Sequence, residues 1–518
     1  MIPSLLLLAS LAPAALANPF GFPGLPQLHS RATCSGNTAT TRTEWCDYDV
    51  STDYYTTCPD TGVTREYWLE LTDVTVSPDG VERSAMAING SIPGPTLFAD
   101  WGDTVIVHVT NSLTTSTNGT SLHFHGIRQN YTNQNDGVAS ITQCPTAVGE
   151  TATYTWKATQ YGSTWYHSHF ALQAWEGVFG GIIINGPATS DYDEDLGVLF
   201  LNDWDHQTVD ELYYSAETNG PPTLDNGLIN GTNVYGDDDD SSQTGSRFTT
   251  QFTSGTSYRI RLVNAAVDTH FKFSIDNHTL TVIATDLVPI VPYTTEILNI
   301  GMGQRYDIIV TADQSATASN FWMRAIPQIA CSDNDSTDNI KGIVYYGDSA
   351  GTPTTTGYDY TDSCDDEDVS DLVPYLSKTV DSASFSELET ATVGTNSDNL
   401  FKWYLNSTTM VVDWADPTLL QIYDGATSFE TSNAVIQLSD ANEWVYLVIQ
   451  TTLAVPHPIH LHGFDFYILA QGTGFALQFV VRQDEITDLI DYDSLNSTCT
   501  AWSSYASAED VEQDDSGV

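Results

Sequence analysis

The chain has 518 residues, with 16 Lys+Arg against 67 Asp+Glu and a formal net charge of −51. That balance excludes a nucleic-acid binder, which needs Lys and Arg for phosphate contacts, and argues against docking on anionic membranes. A hydrophobic fraction of 41% supports packed cores, and the length predicts about three domains.

Residues Ile2–Ala17 form a short apolar run, broken by Pro3 and Pro13, that ends in the small-x-small pattern Ala15-Leu16-Ala17. This predicts a secretory signal peptide over 1–17. A further trim after Arg31 would remove 18–31 as a propeptide. No later apolar run is long enough to span a bilayer. Asn-x-Ser/Thr triplets start at Asn89, Asn118, Asn130, Asn230, Asn277, Asn334, Asn406 and Asn496 and fit an extracellular surface. The seven cysteines (Cys34, Cys46, Cys58, Cys144, Cys331, Cys364 and Cys499) are too dispersed for a disulfide scaffold. In an oxidising compartment they staple loops, and the odd number leaves one over.

Along the chain the pattern is β throughout. Asp103–Asn111 alternates around Val105, Val107 and Val109. Tyr258–Asn264, His270–Ile275, Thr279–Ala284, Arg305–Val310 and Trp444–Ile449 are short, β-branched and aromatic-rich, with Gly, Pro, Asn and Asp between them. Such strands predict sandwiches or barrels, and few long amphipathic helices are expected. Two polar stretches, Gly186–Asp195 and Asp348–Asp371, divide the mature chain into 32–188, 189–350 and 351–518. The acidic run Asp237–Asp240 reads as a solvated loop.

The histidines carry the chemistry. Seven of the twelve fall in three tight groups: His123 with His125, His167 with His169, and His457 with His460 and His462. Residues i and i+2 of a strand share a face, so each H-x-H pair aims two imidazoles the same way. Three such pairs from distant segments predict one polynuclear metal site. His29, His108, His206, His270 and His278 are isolated and read as structural.

Ser121–Gly126 (SLHFHG), Ser163–Phe170 (STWYHSHF) and Val455–Gly463 (VPHPIHLHG) resemble three of the four copper motifs of multicopper oxidases. Asn89–Pro95, Asp136–Pro145, Asn226–Thr232, Ile300–Asp307 and the terminal Asp515–Val518 resemble ascomycete laccases in particular. The resemblance implies three cupredoxin-like Greek-key domains and a secreted, monomeric oxidase of small phenols that reduces dioxygen to water. It implies four coppers. His123 and His460 would hold the type 2 copper, and His125, His167, His169 and His462 would serve the type 3 pair. His457 would be one ligand of the type 1 copper. Asp210, with Glu211 as runner-up, lies where laccases keep a carboxylate near the phenol; a solvated loop acid is the other reading. The resemblance also implies disulfides Cys144–Cys499, Cys331–Cys364 and Cys34–Cys46, which leaves Cys58 over. The Asp515–Val518 tail would enter the solvent tunnel above the cluster.

The sequence departs from the family at its fourth motif, a His-Cys-His followed by another His. His462 is the last histidine, and Cys499 is the one cysteine beyond Cys364. A blue copper site needs a thiolate and two imidazoles. The type 1 site therefore lacks its thiolate and second imidazole, and the type 3 pair lacks two of its imidazoles. Phe464–Gly474 reads as the strand after the third motif, and Phe475–Arg482 as the strand that normally follows the fourth. The loss is placed at the Gly474–Phe475 junction, leaving the third domain incomplete, with unpaired edges and exposed apolar faces. A skipped exon and a degenerate paralogue are the two explanations. The competing functions are a laccase truncated only in this sequence, a copper-binding protein without oxidase activity, and a cupredoxin-like structural protein with empty sites.

Overall fold

The computed structural model describes residues 35–116, 118–238, 240–380, 382, 385–438, 444–451, 456–469, 471, 475–479, 492–509 and 511. The expected signal peptide and propeptide, His29, Cys34, Gly474 and the Asp515–Val518 tail lie outside these residues.

The N-terminal unit packs two four-stranded sheets face to face. One runs in the order Arg83–Ile88, Thr64–Val76, Thr104–Asn111, Thr151–Lys157. The other runs Gly94–Asp100, Phe179–Asn185, Gly162–Ser168, Leu122–Phe124. Alternation builds the core: Val105, Val107 and Val109 point inward, against Leu71, Leu97, Trp156 and Ile182. Burying each large apolar side chain contributes about 1.5–3 kcal/mol.

The middle unit pairs a six-stranded with a five-stranded sheet. Ser257–Asn264 and Arg305–Thr311 lie antiparallel at its centre, over a core that includes Leu262, Phe271, Phe273, Val282 and Ile308. The strands expected over Tyr258–Asn264, His270–Ile275, Thr279–Ala284 and Arg305–Val310 form within a residue of those bounds.

Beyond residue 384 the described residues form one four-stranded sheet, ordered Phe401–Leu405, Phe385–Thr395, Val445–Thr451, Phe475–Phe479. Phe475 stands opposite Ile449. Val393, Phe401, Trp403 and Leu405 lie exposed along one face.

Several expectations need correction. The strand expected from Phe464 is not formed: residues 464–469 carry no ladder bonds. Side-chain contacts with the N-terminal unit hold them instead. Asp465 pairs with Arg128 and accepts from Gln160 Nε2 at 3.1 Å, and Tyr467 stacks on Tyr55. Three α-helices form among the described residues, the shortest over Thr418–Tyr423. Val209–Asn219 is closed by a capping box between Thr208 and Glu211. Tyr492–Glu509 is rich in Ser and Thr, and forms because Leu495, Cys499 and Trp502, at i, i+4 and i+7, bury against Cys144, Phe170 and Trp414. The described residues of the run Asp237–Asp240 are exposed, as a solvated loop requires, and Asp238 also pairs with Arg247 and Lys341 at 2.5 and 2.8 Å.

Cys144–Cys499 and Cys331–Cys364 are bonded. Cys46 is also disulfide-bonded. Cys58 is the free cysteine among the described residues.

Candidate metal centre

The strands Leu122–Phe124 and Gly162–Ser168 pair antiparallel, so that His123 stands opposite His167. His125 and His169 follow just beyond these strand ends. His460 and His462 arrive on irregular backbone, not on a strand, so the period-2 argument does not hold for the third group. Six imidazoles nevertheless converge. His125 stacks on His460 with ring centroids 3.7 Å apart, His123 lies 4.1 Å from His462, and His169 lies 4.9 Å from His462. His457 is apart from them, edge-on to Trp403 at 4.6 Å.

Hydrogen bonds orient the nitrogens. His123 Nδ1 donates to the Asp136 carbonyl at 2.7 Å, and His462 Nδ1 donates to Asp136 Oδ2 at 3.0 Å. His167 Nδ1 donates to the Ser168 carbonyl at 2.9 Å. A proton held at Nδ1 leaves the Nε2 lone pair free to bind a cation. His123 Nε2 then faces His460 Nε2 at 3.4 Å, and His167 Nε2 faces His125 Nδ1 at 3.3 Å. The donor atoms of His123, His125 and His460 lie within 4.8 Å of one another, as do those of His123, Asp136 and His462. His169 Nδ1 is buried with no hydrogen-bond partner among the described residues.

The electrostatics suit a metal. Burial, then repulsion from neighbouring imidazoles and Arg305, holds His125 and His460 well below the ordinary imidazole value. Burial also pushes His167 down to about 3 and lowers His169 and His462. Such rings are neutral, as ligation requires. Burial would raise the Asp136 carboxyl, but His123 and His462 hold it well below the usual carboxylate range. Asp136 therefore sits as a carboxylate beneath two imidazoles. It stands in the segment Asp136–Pro145, but nothing in its spacing marks it as a partner of His123.

The middle unit closes one side. A Cβ on Gly303 would lie 3.3 Å from His125 Cε1. Arg305, buried, donates to the Gly303 carbonyl and pairs with Asp286 at 2.9 Å.

Three family models described as multicopper oxidase match residues 70–189, 195–348 and 396–500. The chain belongs to the multicopper oxidases. It is 44% identical to Laccase-2 of Botryotinia fuckeliana, over 96% of this chain and 95% of that protein. It is 39% identical to Laccase-1 of Melanocarpus albomyces, over 85% of this chain and 71% of that protein. The crystal structure of a laccase from Botrytis aclada superposes with a TM-score of 0.88 at 42% identity, covering 93% of this chain and 99% of that one. The protein is an oxidoreductase of the laccase type, all-β and cupredoxin-like, and its metal is copper. The six-imidazole cluster fits that metal. The surroundings of His457 do not fit a blue copper site, because no cysteine stands there among the described residues. Cys58 packs against the N-terminal core, with its thiol at the Pro59 and Ala158 carbonyls.

Asp210 is exposed on the first turn of the helix Val209–Asn219, and desolvation by the surrounding chain raises its carboxyl. Near its far end the helix approaches the strand that carries Trp403, through Glu217 and Lys402 at 3.7 Å. Of the five isolated histidines, His29 lies outside the described residues, His270 Nε2 is buried with no hydrogen-bond partner among them, and three have local partners. His206 is held by Asp79 and Asp225, His108 by Glu66 and Thr153, and His278 by Tyr346.

Proposed function

We propose that the chain is a secreted, monomeric laccase-type oxidase which, as this sequence stands, has lost its route for electron entry. The observation that carries this reading is the contrast between two places: five imidazoles gather around that of His123, while His457 meets Trp403 and no thiolate among the described residues. His123 and His460 would hold the type 2 copper. His125, His167, His169 and His462 would serve the type 3 pair, and His457 would be the remaining type 1 ligand. Bound copper would supply one-electron acceptance from small phenols and reduction of dioxygen to water.

The chain's own residues do the positioning. Asp136 fixes the Nδ1 protons of His123 and His462 and leaves both Nε2 atoms free. The Ser168 carbonyl does the same for His167. Asp210 would accept a phenol proton as a carboxylate.

The domain reading is 32–188, 189–350 and 351–518, with an internal segment lost between residues 474 and 475. Two observations support it. The alignment with Laccase-2 of Botryotinia fuckeliana runs over 566 positions, more than the 518 residues of this chain. The third unit keeps one sheet among its described residues, with Phe401, Trp403 and Leu405 exposed.

Purified protein loaded with copper tests the reading. The expected result is bound copper, no blue thiolate absorption, and no oxygen uptake with a methoxyphenol. Phenol-driven oxygen uptake at ordinary turnover would overturn the loss of electron entry. Sequencing the transcript across codons 474 and 475 then separates a skipped exon from a genuine short form.

A further inference from the structure

Trp68 is the most exposed tryptophan among the described residues, at 64%. It sits on the outer face of the sheet ordered Arg83–Ile88, Thr64–Val76, Thr104–Asn111. On one flank its cross-strand partner His108 stacks on it, with ring centroids 5.2 Å apart and planes at 26°. His108 is itself pinned, by Glu66 and Thr153, both at 2.9 Å. The opposite flank faces the edge of the sheet, where Asn89 follows the strand Arg83–Ile88.

Asn89 lies on that edge, with its side chain on the backbone of Trp68 and Glu70. Its backbone N–H donates to the Glu70 carbonyl at 2.9 Å, which places it opposite Glu70 and diagonal to Trp68. Its side-chain oxygen accepts from the Glu70 N–H at 2.7 Å, and its Nδ2 donates to the Trp68 carbonyl at 3.2 Å. The residue is exposed, in a turn with φ 51°, and it heads the triplet Asn89-Gly90-Ser91.

We propose that Asn89 carries an N-linked glycan whose first sugar packs on the open face of Trp68. The donor is a lipid-diphosphate-linked oligosaccharide. A bond forms between Asn89 Nδ2 and the anomeric carbon, the bond from that carbon to the diphosphate oxygen breaks, and the lipid diphosphate leaves. One amide proton is lost to solvent, and no electrons change hands. Oδ1 is untouched by the modification and keeps its bond from the Glu70 N–H, which tethers the side chain at that edge. The apolar face of a sugar ring then covers an indole that is otherwise left in water. Asn334 is the internal contrast. It is 3% exposed, its amide donates to the Asn226 carbonyl at 2.8 Å, and its oxygen accepts from the Ser336 N–H at 2.9 Å.

The inference rests on the secretory reading. The test expresses the full chain in a filamentous fungus and maps glycopeptides from the medium and from the cell's secretory membranes. Asn89 is expected to be occupied and Asn334 bare. Hydroxyl-radical footprinting then compares wild type with Ser91→Ala, which removes the acceptor triplet and leaves both Asn89 side-chain bonds intact. Trp68 is expected to oxidise severalfold faster in Ser91→Ala. A bare Asn89 beside an occupied Asn118 overturns the site alone. Equal oxidation of Trp68 in the two proteins overturns the packing. Absence of glycan at every triplet in both fractions overturns the secretory reading and this site with it.

Discussion

His123 and His167 stand opposite each other on antiparallel strands, with ring centroids 5.3 Å apart and planes at 73°. Strand pairing, rather than proximity in sequence, thus joins the first two histidine groups. His123 belongs to both clusters of close donor atoms. His123→Ala is therefore expected to lose most cluster copper, while His457→Ala retains it. Asp136→Asn keeps every imidazole and the backbone carbonyl that holds His123 Nδ1, but removes the carboxylate that orients His462, and is expected to weaken copper binding by about 10–100-fold. Competition against a copper chelator measures all three. Unchanged affinity in Asp136→Asn would remove the orienting role.

Glu176 and Arg83 are both buried and meet at 3.1 Å. Arg83 also lies over the Trp204 ring, and Glu176 accepts the backbone N–H groups of Val209 and Asp210. A carboxylate from the N-terminal unit thereby caps a helix of the middle unit. Glu176→Ala leaves the guanidinium buried without its partner, and the expected loss is about 3–5 kcal/mol. Replacing both residues by Leu and Met is expected to cost less than Glu176→Ala alone. Denaturant unfolding decides, and a double variant as unstable as the single one would contradict the pair's role.

Much of this was legible in the sequence. Period-2 alternation marks Asp103–Asn111, whereas the central strands of the middle unit are buried on both faces and follow from their β-branched and aromatic residues between turn signals. The three histidine groups supply the six imidazoles that converge, while His457 of the third group stands apart against Trp403. The capping box at Thr208 and the Leu495, Cys499, Trp502 spacing lie in the sequence too, but the Ser and Thr residues around Cys499 are poor helix formers that mask the helical period. Asp136 and Gly303 could not be read. Their contacts with His123 and His125 join segments that meet only after the sheets are built. The strand expected at Phe464 failed because a ladder needs a neighbour, and here Arg128 and Tyr55 hold the segment by its side chains.

Asp268 sets a pH dependence. Burial, then the Asp203 and Asp333 charges, raises its carboxyl to about 7, and its Oδ2 has no hydrogen-bond partner among the described residues. The folded protein thus keeps a proton that the unfolded chain releases near the ordinary carboxylate value of about 4. Between about 4 and about 7 the native state binds more protons, so this group's contribution to stability falls as pH rises. Asp268→Asn is expected to gain roughly 1–3 kcal/mol at pH above 7 and nothing at pH below 4. Thermal unfolding across pH measures it, and a gain that does not vary with pH would exclude this cause.

The disulfide Cys144–Cys499 ties the C-terminal helix to the N-terminal unit across 355 residues. Trp502 in that helix packs on Phe170 and Trp414. Cys499→Ser is expected to cost about 2–5 kcal/mol, and Trp502→Ala about 3–5 kcal/mol. Both are expected to keep the copper affinity of the parent chain, since neither residue touches the histidines. Hydrogen exchange over 492–509 together with a copper titration measures this. Loss of copper in Cys499→Ser would show that the helix supports the cluster.

Gly303 joins the middle unit to the metal centre. Its φ is +79°, a region that costs a residue with a Cβ about 1–2 kcal/mol. The strain alone is affordable in a large protein, but the new methyl group would stand 3.3 Å from His125 Cε1 and 3.6 Å from Nε2. His125 has little room to yield, because His460 stacks on it at 3.7 Å and Trp165 lies 5.3 Å away. Gly303→Ala is therefore expected to shift the His125 ring and to weaken copper binding, with unfolding stability reduced by only about 1–2 kcal/mol. A crystal structure of the metal-free variant reads the ring position, and a chelator competition reads the affinity. An unmoved ring with unchanged copper affinity would mean that the Gly301–Gln304 loop merely covers the centre and does not shape it.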